Sequence, residues 1–118
     1  MNKNVNFFEL KGQIIISIED DSIITTSTGD KYEIYHSQDC CESVSHYKTI
    51  GNLSDIIGYP ITLAEEDNCD PDWYDGKYSD SHTWSAFFLE TQHGRLELWF
   101  LGESNGWYGE TMEFQKLN

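Results

Sequence analysis

Residues 83–101 read TWSAFFLETQHGRLELWFL, two apolar-rich runs on either side of a polar break. They read as strands over Thr83–Gln92 and Arg95–Leu101, joined by a turn at His93-Gly94. Alternation divides the first run into Trp84, Ala86, Phe88 and Glu90 on one face and Thr83, Ser85, Phe87 and Leu89 on the other. In the second run Leu96, Leu98 and Phe100 oppose Arg95, Glu97, Trp99 and Leu101. Apolar side chains therefore occupy both faces, which suggests a central hairpin covered on one face by the short helix or by loops.

Working outward, the flanking sequence keeps a β pattern. Gln13–Ile18 and Ser22–Thr28 are rich in β-branched residues and flank the acidic turn Glu19-Asp20-Asp21; a second turn at Gly29-Asp30 leads into the alternating stretch Lys31–His36. These three strands form a meander. Val44–Ile50 reads as a fourth short strand, Leu53–Ile57 as one brief helix ended by Gly58, and Pro60 as the opening residue of a strand in PITLAEE. Asp67–Ser81 reads as a long loop, and a last strand runs over Thr111–Leu117. The expected architecture is α+β, predominantly antiparallel β-sheet with one or two short helices, in a single acidic domain spanning residues 1–118.

Charge narrows the function. The chain carries 21 Asp and Glu against 7 Lys and Arg, a formal charge of −14. The excess thickens in AEEDNCDPDWYDGKYSDS, residues 64–81, where seven carboxylates and three aromatic rings share eighteen positions with one Lys. Such a field repels phosphates and anionic lipid and attracts basic protein surface, which speaks against nucleic acid and membrane as direct ligands. No apolar run approaches the ~18 residues of a membrane span, and the N-terminus lacks the apolar stretch of a secretory signal. Three cysteines, Cys40, Cys41 and Cys69, are too few for a disulfide framework and fit a reducing cytosol.

His36-Ser-Gln-Asp39-Cys40-Cys41-Glu42 is the densest chemical cluster. A closed zinc site needs four ligands, and Cys69, His82 and His93 supply no paired second half to His36 and Cys40. A thiol nucleophile needs a base or a positive field, and this chain provides the opposite field. The carboxylate pairs Glu65-Glu66, Asp70 with Asp72, and Glu103 with Glu110 are expected by chance among 21 acids. Asp70–Asp80 departs from a calcium loop at Tyr74 and lacks the closing Glu. The expectation is thus no catalytic residue, no cofactor and no metal.

Rings set among acids carry a different chemistry. Trp73, Tyr74 and Tyr78 lie within the acidic loop beside Asp70, Asp72, Asp75 and Asp80, while Trp107 and Tyr108 follow the turn signal Asn105-Gly106 close to Glu103. These ten residues are the expected protein-binding set: rings supply buried area, and carboxylates supply steering toward Arg or Lys of a partner. The same rings could instead fold the loop onto the sheet. Competing readings are a small-ligand (nucleotide-signal) sponge or zinc/thiol enzyme with a pocket at His36, Asp39, Cys40 and Trp84, and an acidic mimic of DNA.

HSQDCCESV (36–44), GNLSDIIGYPITLAEE (51–66), SHTW (81–84) and GESNGWYGE (102–110) together resemble a family of small phage and prophage proteins of uncharacterised domain type. Its members share a DCCE element, a G-D/N-L-x-D-(I/L)-I-G-x-P-I element and a late SNGYY-like turn. The resemblance covers about Lys31 to Glu110, with Trp107 and Gly109 departing from the usual Tyr and Ser. In size, acidity and phage-like character the chain is also similar to anti-defence proteins of SPbeta-like Bacillus phages that bind a defence-associated sirtuin and restrain its NAD consumption. That resemblance implies a stoichiometric inhibitor without chemistry of its own, acting in the host bacterial cytoplasm on a large host defence protein with a basic surface. It assigns no catalytic residues.

Overall fold

In the computed structural model, which describes residues 2–37, 42–78, 81–104, 106 and 109–118, the chain forms nine strands among those residues. They are β1 (Lys3–Asn4), β2 (Ile15–Glu19), β3 (Ile23–Thr26), β4 (Lys31–Tyr35), β5 (Glu42–Ile50), β6 (Leu63–Asp67), β7 (Ser81–Thr91), β8 (Gly94–Ser104) and β9 (Glu113–Lys116). Two antiparallel sheets result, one in the order β1-β9-β4-β3-β2 and the other β5-β8-β7-β6.

The central hairpin forms from Ser81 to Ser104, with Thr91 paired to Gly94 across the two-residue turn Gln92-His93. It lies one position earlier than the expected His93-Gly94. At the other hairpin turn Ser22 N–H donates to the Glu19 carbonyl around Asp20 and Asp21, both at positive φ (52° and 56°). Asp tolerates this left-handed conformation better than bulkier residues, and the turn twists as the flanking strands do. The meander β2-β3-β4 stands, and β9 closes it by pairing with β4.

The α+β expectation is corrected: among the described residues the architecture is antiparallel β, and the only helical segments are 3-10 turns at Phe7–Leu10 and Leu53–Asp55. The segment expected to be helical over Leu53–Ile57 buries only Ile56 fully and leaves Leu53 exposed, so it has no apolar stripe to offset the cost of helix nucleation. Gly58, at φ +91°, ends the turn.

Facing sheets supply the inner cover. Phe87 and Leu89 of β7 with Leu96, Leu98 and Phe100 of β8 pack into one core with Ile15, Ile24, Tyr32, Ile34 and Phe114 of the first sheet. Phe7, from the N-terminal turn, stands between the layers with its ring centroid 5.0 Å from both Phe87 and Phe114. One edge is stitched by backbone bonds, Gly12 N–H to the Ile61 carbonyl and Ile61 N–H to the Gln13 carbonyl, so the chain before β2 pairs with the chain before β6. Beyond that stitch, β6 carries Glu65, Glu66 and Asp67 exposed in succession, charges that blunt an edge strand against pairing with other chains.

Phe7 fills the space between the layers at 1% exposure. Phe7→Ala is expected to lower the unfolding free energy by about 3–5 kcal/mol in urea denaturation, as deletion of a packed core ring does. A loss below ~1 kcal/mol would mean that the ring does not bridge the sheets.

Candidate functional site

The outer face of the second sheet also carries an apolar patch. Trp84 and Ala86 of β7 and Trp99 and Leu101 of β8 form a second buried cluster, and the acidic loop between β6 and β7 lies over it. Asn68 begins the crossing by donating its side-chain amide to the Trp84 carbonyl at 2.9 Å, and Pro71 is buried. Trp73 then places its ring 5.5 Å from both Trp84 and Trp99, in edge-to-face contact with each. Tyr74 meets Trp84 at 5.2 Å and donates its hydroxyl to the Lys77 carbonyl, while Trp84 Nε1–H donates to the Tyr78 hydroxyl at 3.0 Å. Tyr78 also stacks on His82 at 3.5 Å. Each such ring pair contributes roughly 0.5–1.5 kcal/mol beyond its buried area.

Strand β5 adds one more ring. Its pairing with β8 shifts register between His46 and Lys48, leaving Tyr47 as the extra residue of a bulge, and bulges re-aim side chains. Tyr47 lies 5.2 Å from Trp84, 5.5 Å from Tyr74 and 6.0 Å from Trp73, yet stays 49% exposed. Lys48 sets its ammonium over the Trp73 ring, 4.6 Å from the centroid.

Of the expected binding set, Trp73, Tyr74 and Tyr78 are half-buried within this cluster, and Asp70, Asp72 and Asp75 are exposed around it. Asp70 has a 3.4 Å contact with His82 Nε2. Glu103 is partly buried on β8; Asp80, Trp107 and Tyr108 lie outside the described residues, as do Asp39, Cys40 and Cys41. Burial first, then the neighbouring Tyr47 and Glu103, holds the Tyr74 phenol above its ordinary pKa. The Cys69 thiol is pushed up by burial and by the Asp67 and Asp70 carboxylates.

Two further clusters serve the framework. His36 directs Nδ1 at the Thr111 carbonyl (2.8 Å) and Nε2 at Glu42 Oε1 (2.7 Å), clipping the end of β4 to the start of β5 and the approach to β9. Burial disfavours the imidazolium, but the bonds to Glu42 and Thr111 and the charges of Glu42 and Glu113 outweigh it and raise the pKa. Glu110 is buried; burial opposes its charge, but bonds from the Ser104, Ser81 and Thr83 hydroxyls prevail and lower its pKa. Gly102 makes room for this segment, since a Cβ there would come within 1.9 Å of the Glu110 carbonyl oxygen. Among the described residues no three of His, Cys, Asp and Glu come together as a metal site. No helix among them is long and apolar enough to cross a membrane.

A family model described as a domain of unknown function, DUF7448, matches residues 8–114. The chain belongs to the DUF7448 family. No match was found among curated proteins or among solved structures. The DUF7448 span includes the ring cluster, the acidic loop and the His36 and Glu110 clusters; β1 and the last residues of β9 fall outside it.

Sequence reasoning missed Tyr47, Lys48 and Trp99 as parts of this site. The available signal was the two-faced hairpin, which demanded an outer cover that the ring-bearing loop was close enough to provide.

A histidine pKa raised on folding stabilises the folded state below the unfolded value, near 6.5, and that contribution is lost as pH rises through the folded value. The urea midpoint of the native protein is therefore expected to fall as pH rises above about 6.5, and that component is expected to vanish in His36→Gln. Identical pH profiles for the two proteins would contradict the imidazolium clip.

Proposed function

We propose that this chain is a binding protein that docks its acidic, ring-supported face on a basic surface of a host defence protein, and that it acts by occupancy. The similarity in size and acidity to phage anti-defence proteins supports a defence-associated sirtuin as the first partner to test. On this reading the chain restrains the sirtuin's NAD consumption in the host bacterial cytoplasm as a stoichiometric inhibitor and is not itself an enzyme.

One observation carries the proposal: the acids are held on a platform. Trp73, Tyr74 and Tyr78 are spent on Trp84 and Trp99, so the loop is fixed to the sheet, and Asp70, Asp72 and Asp75 stand exposed beside the half-exposed ring of Tyr47. A loop ordered before binding loses less entropy on docking, and fixed carboxylates steer a basic partner. The three loop rings thus act mainly as the floor of the surface, with Tyr47 the ring best placed for direct contact. A standard interface of about 800 Å² per partner fits easily on a chain exposing 6624 Å².

The test is association kinetics with a purified defence-associated sirtuin, alongside NAD hydrolysis at increasing molar ratios. Inhibition is expected to saturate at a fixed stoichiometry. The triple variant Asp70→Lys, Asp72→Lys, Asp75→Lys is expected to slow association by about tenfold or more at low salt, with a flatter salt dependence and less change in dissociation. Unchanged association by the triple variant would remove this surface, and absence of any complex would remove the partner.

A further inference from the structure

A groove of about 260 Å³ opens where the acidic loop meets the sheet, and its walls are unequal in an informative way. On one wall Arg95 lies over Phe88, its guanidinium 4.6 Å from the ring centroid, with Glu90 and Glu97 on its nitrogens. Trp99 Nε1–H donates to the same Glu97 at 2.9 Å, which fixes that carboxylate. This wall is a complete guanidinium site: an aromatic face beneath, carboxylates at the edge. Arg meets both requirements because its planar cation stacks on rings and its fork of N–H donors matches carboxylates.

Across the groove the same ingredients recur without a resident guanidinium. The half-buried Trp73 presents a ring and Asp70 and Asp72 present exposed carboxylates; among the described residues Asp72 enters no ion pair and Asp70 has only the 3.4 Å contact with His82. The Trp73 ring already attracts a cation, the Lys48 ammonium. The volume falls below the ~300–1,000 Å³ of small-molecule sites and suits one inserted side chain. The groove is lined by three carboxylates, Asp70, Asp72 and Glu97, around one Arg that Glu90 also pairs, so a second cation is favoured there by charge.

We propose that this groove receives an arginine side chain of a protein partner, packed against the Trp73 ring and held at its edge by Asp70 and Asp72. The inference rests on the docking reading above and gives it a specific anchor: a partner arginine enters a pocket, while the remaining acids act at a distance.

The test uses acetylated, amidated tri-arginine and tri-lysine peptides with the full chain, followed by ¹⁵N NMR of the indole Nε1–H groups. Tri-arginine is expected to give saturable shifts at Trp73 and Trp99 and to bind several-fold tighter than tri-lysine. Asp70→Asn with Asp72→Asn, at exposed positions whose replacement leaves the core intact, is expected to weaken tri-arginine by about tenfold, whereas Glu65→Gln with Glu66→Gln on β6 matches the charge change and leaves binding nearly unaltered. Equal loss in both double variants, or equal affinity for the two peptides, would overturn the pocket while leaving a diffuse acidic docking surface intact. A native chain that bound neither peptide would overturn both.

Discussion

A β-hairpin with aromatic and aliphatic side chains on both faces cannot stand in water on either side, and this constraint organises the molecule. Its inner face, Phe87, Leu89, Leu96, Leu98 and Phe100, is covered by the five-stranded sheet. Its outer face, Trp84, Ala86, Trp99 and Leu101, meets no further sheet among the described residues and packs against Trp73, Tyr74 and Tyr78 of the segment between β6 and β7. Hydrophobic burial is non-directional, but indole and phenol rings are not: their edge-to-face contacts and the Trp84–Tyr78 hydrogen bond give the cover a defined geometry. The loop's acids are positioned as a consequence, because the backbone that carries the rings also carries Asp70, Asp72 and Asp75.

Function, on this account, is attached to packing. A chain of net charge −14 would attract basic surfaces however it folded, but diffuse attraction has little selectivity. Carboxylates at fixed spacing on a rigid platform discriminate among basic partners, since each must meet a matching cation or lose its hydration without return. The groove beside Arg95 extends the same logic, with Phe88, Glu90 and Glu97 already showing how rings and acids together hold a guanidinium.

Strand positions were legible because alternation and turn residues are local signals: the hairpin of residues 83–101, the meander of residues 13–36 and the last strand all appear close to their expected places. The pairing of β4 with β9 was not, since it joins Tyr32–Tyr35 to Glu113–Lys116 across most of the chain and no local pattern encodes it. The brief helix failed for a related reason, a local cue at Leu53–Ile57 overruled by the lack of an apolar face. At the candidate site the ring-and-acid composition was visible, but its arrangement depends on the bulge that turns Tyr47 outward and on Trp99 from the neighbouring strand. The roles of His36 and Glu110 rest on partners remote in sequence, Thr111 for the one and Ser81 and Thr83 for the other.

Solvent exchange of the Trp84 indole proton tests the account most directly, because that proton is donated to Tyr78 beneath the loop and its residue is 0% exposed. If the ring cluster pins the acidic loop, exchange is slowed to the range of the β7 and β8 backbone amides, and Trp73→Ala accelerates it without unfolding the sheets. Exchange in the native chain at the rate of a free indole would mean that the loop does not cover this face, and the positioned acidic surface would fall with it.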